Sequence, residues 1–512
     1  MHSRTKSSVV NILTGVGGKF LTFILAFSLR TVFIRLLGAE YNGVSGLFTN
    51  ILSFFSLAEL GVTNVLNYSL YKALKDNDID LINLYMAKFR RIYHIIAFSI
   101  LGMGLLFVPF LHLFVKSELP FNMIIIYYLL YLADSVISYF VAYKTSLMVA
   151  DQKRYVVNIC LFAGTFVTYI FQIIYLLIKK DFTGYLIIQV LCTILRNVVL
   201  NIIANKKYPY LKKQNVTSSR TLDLAELKQN IKATFIYKVS GKLLNNTTNI
   251  LISGILGTVM VGYYYNYNLI VHYIDAYVYA ITTGLLASVG NFNVSKSERE
   301  SYDLFKTSIF LFSVITNVCI CALFNCYQEF VPIWIGKEFL LDWTVVGAIL
   351  LLFYVHTMSN PVSLFREAMG LFKEVKYTML FAAVLNIVFS VVGGYTIGLT
   401  GIILACSLAR IMTNVWYEPM IIYKKKFKNE KIREYVFLHI KYLIVTIVSL
   451  VLTFTICNQI PFHNIYGVLL RGLISVSIAL LVSVVVNRKT KEYILIRVKF
   501  LSFIRFQRRV KS

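Results

Sequence analysis

The sequence predicts an all-α membrane protein of about fourteen transmembrane helices, and three observations carry that expectation. Of 512 residues, 58% are hydrophobic and 15% charged, and mean hydropathy is +0.69; soluble domains run at roughly 45–50% and ~25%. The apolar residues gather into runs of about 20, the length that crosses a hydrocarbon core. The basic residues lie between these runs and fall mostly on one alternate set of loops.

Taken in order, the runs place helices near 12–36, 44–70, 91–113, 122–146, 156–178, 184–204, 234–256, 263–290, 304–326, 342–363, 377–396, 400–421, 437–457 and 466–487. The first follows Arg4 and Lys6, is too long for a signal-peptide core and ends in no small-residue cleavage site, so it stays as an anchor. One set of loops carries Lys72, Lys88, Arg90, Arg91, Lys153 and Arg154, the basic stretches 205–233 and 424–433, and a basic tail, 488–512. The opposite set offers Lys116, Lys179, Lys180 and Lys337. The positive-inside rule therefore puts both termini of this plasma or inner membrane protein in the cytoplasm. The outer turns, such as Gly38 to Gly43 and Gly257 to Gly262, leave no room for an outer domain.

A net charge of +27 does not point to nucleic acid, because the basic residues form no stripe on a soluble face. They set topology and meet anionic membrane lipid. The seven cysteines lie inside or at the ends of apolar runs with no CxxC pair, which excludes a disulfide framework or thiolate metal site. No GxxxxGK[ST] loop, GxSxG or HExxH is present. The chain is therefore expected to be no enzyme and to need no cofactor or metal.

Self-similarity gives the array an order. Leu37-Gly-Ala-Glu-Tyr-Asn-Gly43 and Leu256-Gly-Thr-Val-Met-Val-Gly262 stand 219 residues apart, as do Asn11-Ile12 and Asn230-Ile231, and Lys19 and Lys238. Thr183-Gly184 and Asn197-Val198 match Thr400-Gly401 and Asn414-Val415 at 217. Helices 1–6 and 7–12 then form two parallel repeats about an axis along the membrane normal, enclosing a central cavity that alternating access exposes to each side. The domains expected are a six-helix bundle over 1–204, a basic linker over 205–233, a second bundle over 234–422, additional helices over 437–487 and a cytoplasmic tail.

An ionisable group inside a span costs about 2.5–3.5 kcal/mol on insertion scales and so faces a partner, a cavity or water. Lys19 and Glu59 fall at similar depth and suit a pair, whereas Arg30 has no evident acid. Lys238 and Lys242 approach the depth of Asp275, with His272 one turn away, and Arg410 adds a further cation. The excess of positive charge suits an anionic, phosphate-bearing cargo. Arg30, Lys19, Lys242 and Arg410 are the candidate cavity cations, and Glu59, Asp275 and His272 the candidates for ion coupling or pairing. Lys144, Arg35, Arg471 and Glu418 suit structural roles, and Tyr263-Tyr264-Tyr265 beside the outer turn suits an interfacial aromatic belt.

The stretch Arg30-Thr-Val-Phe-Ile-Arg-Leu-Leu-Gly-Ala-Glu-Tyr-Asn-Gly-Val-Ser-Gly-Leu-Phe48, with Ser56-Leu-Ala-Glu-Leu-Gly61 and Tyr68-Ser-Leu-Tyr-Lys72, resembles the N-terminal signature of bacterial oligosaccharide flippases. These are polysaccharide biosynthesis transporters of the multidrug, oligosaccharidyl-lipid and polysaccharide exporter superfamily. The resemblance implies an undecaprenyl-diphosphate-linked oligosaccharide, an O-antigen or capsule repeat unit, moved from the cytoplasmic to the outer leaflet. It further implies H+ or Na+ coupling and a polysaccharide polymerase downstream, and it makes Arg30 the first choice for a headgroup contact. The alternative is a cation-coupled multidrug and toxin extrusion antiporter, which predicts acidic rather than basic cavity residues.

Overall fold

A lone segment crossing hydrocarbon satisfies its backbone N–H and C=O groups internally, and the α-helix is how it does so. The computed structural model describes residues 22–56, 70, 73–74, 76–151, 153–212, 225–295 and 297–498, and among them there is no strand. The chain divides into two compact units, Met1–Tyr265 and Asn266–Ser512.

The first unit contains α1 (residues 22–37), α2 (Ala39–Phe55), α3 (Ile79–Phe107), α4 (Phe121–Tyr139), α5 (Ala142–Ala150), α6 (Arg154–Lys179), α7 (Phe182–Lys207) and α8 (Ala225–Leu256). Helix α9 (Thr258–Ser295) runs on into the second unit. There follow α10 (Glu298–Trp334), α11 (Trp343–Met358), α12 (Asn360–Ala368), α13 (Phe372–Val375), α14 (Thr378–Met412), α15 (Asn414–Lys425), α16 (Ile432–Cys457) and α17 (Ile465–Asn487). Helix α14 is broken at Ile397 and Gly398, where φ and ψ leave the helical region, and so makes two passes. With α4–α5 and α11–α12 each taken as one interrupted pass, the described residues form fourteen helical passes, one for each apolar run. Nine of the described helices are long and apolar enough to cross a membrane by length and composition. Their outward faces are apolar: Leu106 is 75% exposed and Ile178 72%. This is a multi-pass, all-α membrane protein.

Several helices outrun the apolar segments that announced them, because an apolar run marks only the part immersed in lipid. Helix α3 starts at Ile79, where the Asp78 carboxylate accepts from the Leu81 N–H at 3.0 Å. Helix α10 starts in a capping box, Ser297 accepting from the Glu300 N–H and Glu300 reaching back to Ser297.

The repeat is visible in the backbone. Gly38 and Gly257, 219 residues apart, end α1 and α8 at φ of +88° and +95°, a region that favours glycine. Five residues further on, Gly43 and Gly262 bring α2 and α9 together. A Cβ on Gly43 would stand 1.9 Å from the Thr258 carbonyl oxygen, and one on Gly262 would stand 2.1 Å from that of Ala39. Ala39 and Thr258 are themselves repeat partners, so the contact is reciprocal, as an axis between the two turns requires. Asn42 adds a buried hydrogen bond to the Gly262 carbonyl at 2.9 Å. The interrupted passes match as well: α5 and α12 are both nine residues long and begin 218 residues apart.

In the second unit the last two helices are fixed by small and polar side chains. Helix α17 buries Gly467, Arg471, Ser475, Ala479, Ser483 and Asn487, a stripe at every fourth residue. Lipid gives no hydrophobic drive between helices, so close approach and hydrogen bonds supply the adhesion. From α10, Asn317 donates to Ser449 Oγ at 3.1 Å, the Ala479 carbonyl at 3.1 Å and Ser483 Oγ at 2.9 Å, while Asn325 donates to Ser475 Oγ at 3.0 Å. Arg471 bonds the carbonyls of Phe462 and Ile460, each at 2.9 Å, and so closes the turn between α16 and α17. Elsewhere, Arg366 on α12, 2% exposed, meets Glu418 on α15 at 2.5 Å, and Asn414 supports the other carboxylate oxygen at 2.7 Å.

Candidate functional site

Arg30 projects from α1, and burial in an apolar span leaves a guanidinium few neighbours that can stabilise it. The ring of Tyr265 is one: its centroid lies 4.3 Å from Arg30 Cζ, with Phe33 at 5.6 Å. A cation over an aromatic face is held by the ring quadrupole, by up to about 2 kcal/mol once desolvated. The hydroxyls of Tyr131, Tyr169 and Tyr185 also lie within electrostatic reach of Arg30. Tyr131 is anchored by Ser45 at 2.5 Å. The result is a cation on α1 set among tyrosines drawn from α4, α6, α7 and α9. The expected aromatic belt is corrected here, since Tyr264 is 4% exposed and Tyr265 faces the guanidinium. Proximity to the outer turn placed these rings at the interface, but the helix turned them inward.

Lys242 on α8 donates to Ser56 Oγ at 2.9 Å and to the Ser53 carbonyl at 3.4 Å, across the contact between α2 and α8. Asn246, one turn along, donates to Ser53 Oγ. On α4 the Asp134 carboxylate accepts from Gln189 at 2.8 Å.

In the second unit Asp275 on α9 meets His356 near the end of α11, Oδ1 to Nδ1 at 3.5 Å, with the two side chains 26% and 42% exposed. Within the second unit the neighbour that Asp275 finds is thus a histidine, which depth alone did not single out. His272 is exposed and lies against the ring of Tyr273. Arg410 is 6% exposed within the second unit. Lys19 and Glu59 lie outside the described residues, and of the Lys238 side chain nothing is described. Lys144 donates to the side-chain oxygens of Asn201 and Asn205, neutral acceptors rather than an acid. Sequence reasoning missed Tyr265 and His356 as partners, and the one available signal was that each lies inside an apolar run at a depth comparable to that of its charged neighbour.

Among the described residues no group of three or more His, Cys, Asp or Glu side chains is placed to hold a metal ion. What the arrangement offers is cation–aromatic contact at Arg30 and an acid–imidazole pair at Asp275 and His356.

No protein-family model matches the chain, and no curated protein matches it by sequence. Solved structures do. The lipid II flippase MurJ in an inward closed conformation aligns over 93% of this chain and 99% of its own, with a TM-score of 0.63 at 13% identity. An inward-facing multidrug resistance transporter of the MATE family, of the MOP superfamily, aligns over 79% of this chain and 94% of its own, with a TM-score of 0.62 at 14% identity. A point mutant of the Vibrio cholerae MATE transporter VcmN aligns over 86% of this chain and 100% of its own, with a TM-score of 0.54 at 16% identity. At such identities the likeness is one of fold. The chain has the fold shared by these transporters, none of which is an enzyme.

Proposed function

We propose that the chain is a flippase that carries a diphosphate-linked lipid oligosaccharide from the cytoplasmic to the outer leaflet by alternating access. The observation that carries this reading is the tyrosine-ringed Arg30. A diphosphate binds a guanidinium through paired charge-assisted hydrogen bonds, and tyrosine faces and hydroxyls suit the sugars that follow it. Lys242, Arg410 and Lys19 are proposed as further cargo-binding cations. The alignment with the lipid II flippase extends over more of this chain than that with the inward-facing MATE transporter, 93% against 79%, which supports a lipid cargo. Both termini are assigned to the cytoplasm from the basic loops. Asp275, which meets His356 at 3.5 Å, is assigned to ion coupling, with Glu59 and His272 as secondary candidates. A polymerase acting on the translocated product completes the expected setting.

The test is transport by purified protein in proteoliposomes loaded with an undecaprenyl-diphosphate oligosaccharide, read by exposure of the sugar to a membrane-impermeant oxidant. Replacing Arg30, Lys242 and Arg410 singly with alanine is expected to slow exposure, with Arg30→Ala slowed about tenfold or more, the worth of one lost charge-assisted contact. Wild-type rates in all three correctly inserted variants would remove the cargo-binding cations from the account.

A further inference from the structure

The first unit holds a second concentration of positive charge, away from Arg30. Helices α3, α5 and α7 enclose a cavity of about 410 Å³ lined by Arg90, His94, Lys144, Asn83, Asn201 and Asn205, among other residues, and among the described residues none that lines it is acidic. Lys144 is held in place by the side-chain oxygens of Asn201 and Asn205, the latter at 2.8 Å. Both are neutral acceptors, so they orient the ammonium without cancelling its charge, and of its three protons they take two. Arg90 and Lys144 repel one another electrostatically. Two cations facing one pocket is an unfavourable arrangement that an anion reverses.

The pocket is also a built one. Leu211, on the 3-10 turn after α7, contributes to its wall. That turn is tied down by Tyr208, whose hydroxyl donates to Asp151 at 2.8 Å, while Lys153 pairs with the same carboxylate at 2.6 Å. Burial and the Asp151 hydrogen bond push the Tyr208 hydroxyl well above its ordinary pKa, so it remains a donor at any physiological pH. Ile95 and Phe98 on α3 and Ile202 on α7 are 58%, 60% and 53% exposed, so two of the helices that line the cavity also carry exposed apolar surface. The cavity lies toward the end of the unit that carries Lys153, Arg154, Lys206 and Lys207.

We propose that this pocket is a phosphate-binding site in which Arg90 and Lys144 grip the anion, with His94 and Asn83 as further donors, and that the exposed apolar surface of α3 and α7 suits the chains of an anionic phospholipid. Its volume lies within the range of small-ligand pockets and exceeds the needs of a bare phosphate. Occupancy would tie α3 to α7 and so stabilise the first unit from its basic end.

The test uses the full-length protein in a neutral detergent with three probes: dihexanoyl phosphatidylglycerol, dihexanoyl phosphatidylcholine and inorganic phosphate, each followed by titration calorimetry. Saturable binding of phosphatidylglycerol but not phosphatidylcholine is expected. It should weaken about tenfold in Arg90→Gln and in Lys144→Gln, the loss of one charge-assisted contact, with Lys144→Arg retaining most of it and Lys489→Gln, an exposed basic residue elsewhere, unaffected. Arg90 is exposed, so Arg90→Gln keeps the fold and remains informative even where a Lys144 variant does not. Binding of inorganic phosphate with the same variant sensitivity supports the site with a soluble occupant. Binding of neither anion, or binding that Arg90→Gln leaves unchanged, overturns the proposal.

Discussion

At Arg30 the guanidinium lies 4.3 Å from the centroid of the Tyr265 ring, and this contact separates two contributions that an alanine variant would merge. Arg30→Lys keeps the charge but loses the planar fork that grips a diphosphate at two points. It is expected to insert normally and to slow translocation about tenfold; an unchanged rate would mean that charge alone suffices there. Tyr265→Leu removes the aromatic face and is expected to lower the melting temperature as well as the rate. Arg366 with Glu418 is a different case, a structural pair 2% and 3% exposed. Glu418→Ala leaves a buried guanidinium short of its principal partner, and losses of about 3–5 kcal/mol are usual for such changes. Scanning calorimetry in detergent should show a large fall for Glu418→Ala and a small one for Glu374→Ala, whose partner Lys425 is exposed. The cost of burying charge made Arg30, Asp275 and Glu418 visible in the sequence. Their partners were not visible, because His356 stands 81 residues from Asp275 and only the packing of α9 against α11 brings the two together.

At the scale of helices, the reciprocal contact at Gly43 and Gly262 is the joint on which the repeat turns. Gly43→Ala places a methyl group 1.9 Å from the Thr258 carbonyl and forces α2 and α9 apart. The variant is expected to express poorly and melt earlier, whereas Gly102→Ala, with nothing within 4 Å of the added methyl, should behave as wild type. Ala479→Leu in the small-residue stripe of α17 overfills the contact with α10, and such overpacking costs typically about 1–3 kcal/mol. It should loosen α16 and α17, read as earlier protease cleavage between them. These joints were partly legible: the matched glycine turns at 37–43 and 256–262 stood out because an axis needs the same backbone twice. The interruptions at Phe140–Val141 and Ser359 did not, since no proline or glycine marks the first, and Pro361 follows the second as an ordinary helix-start residue.

For the whole molecule, the basic residues on alternate loops between the apolar runs predict that both ends face the cytoplasm. Single cysteines introduced at Lys424 and at Lys337 in a cysteine-free background should react oppositely with an impermeant maleimide in intact cells, Lys337→Cys labelling and Lys424→Cys not. The array was legible because the solvent imposes it: a run of about 20 apolar residues has one economical conformation in lipid. The cargo was less legible, since one fold serves lipid flippases and multidrug transporters alike. The lipid-diphosphate cargo is our proposal, made from the cations in the apolar runs and from Arg30 set among tyrosines. The most direct measurement compares, in one preparation of proteoliposomes, translocation of an undecaprenyl-diphosphate oligosaccharide with uptake of a lipophilic cation such as ethidium. Saturable movement of the lipid-linked sugar, lost in Arg30→Ala, without ethidium transport is the predicted result; ethidium transport driven by an ion gradient, with the lipid-linked sugar unmoved, would contradict the account.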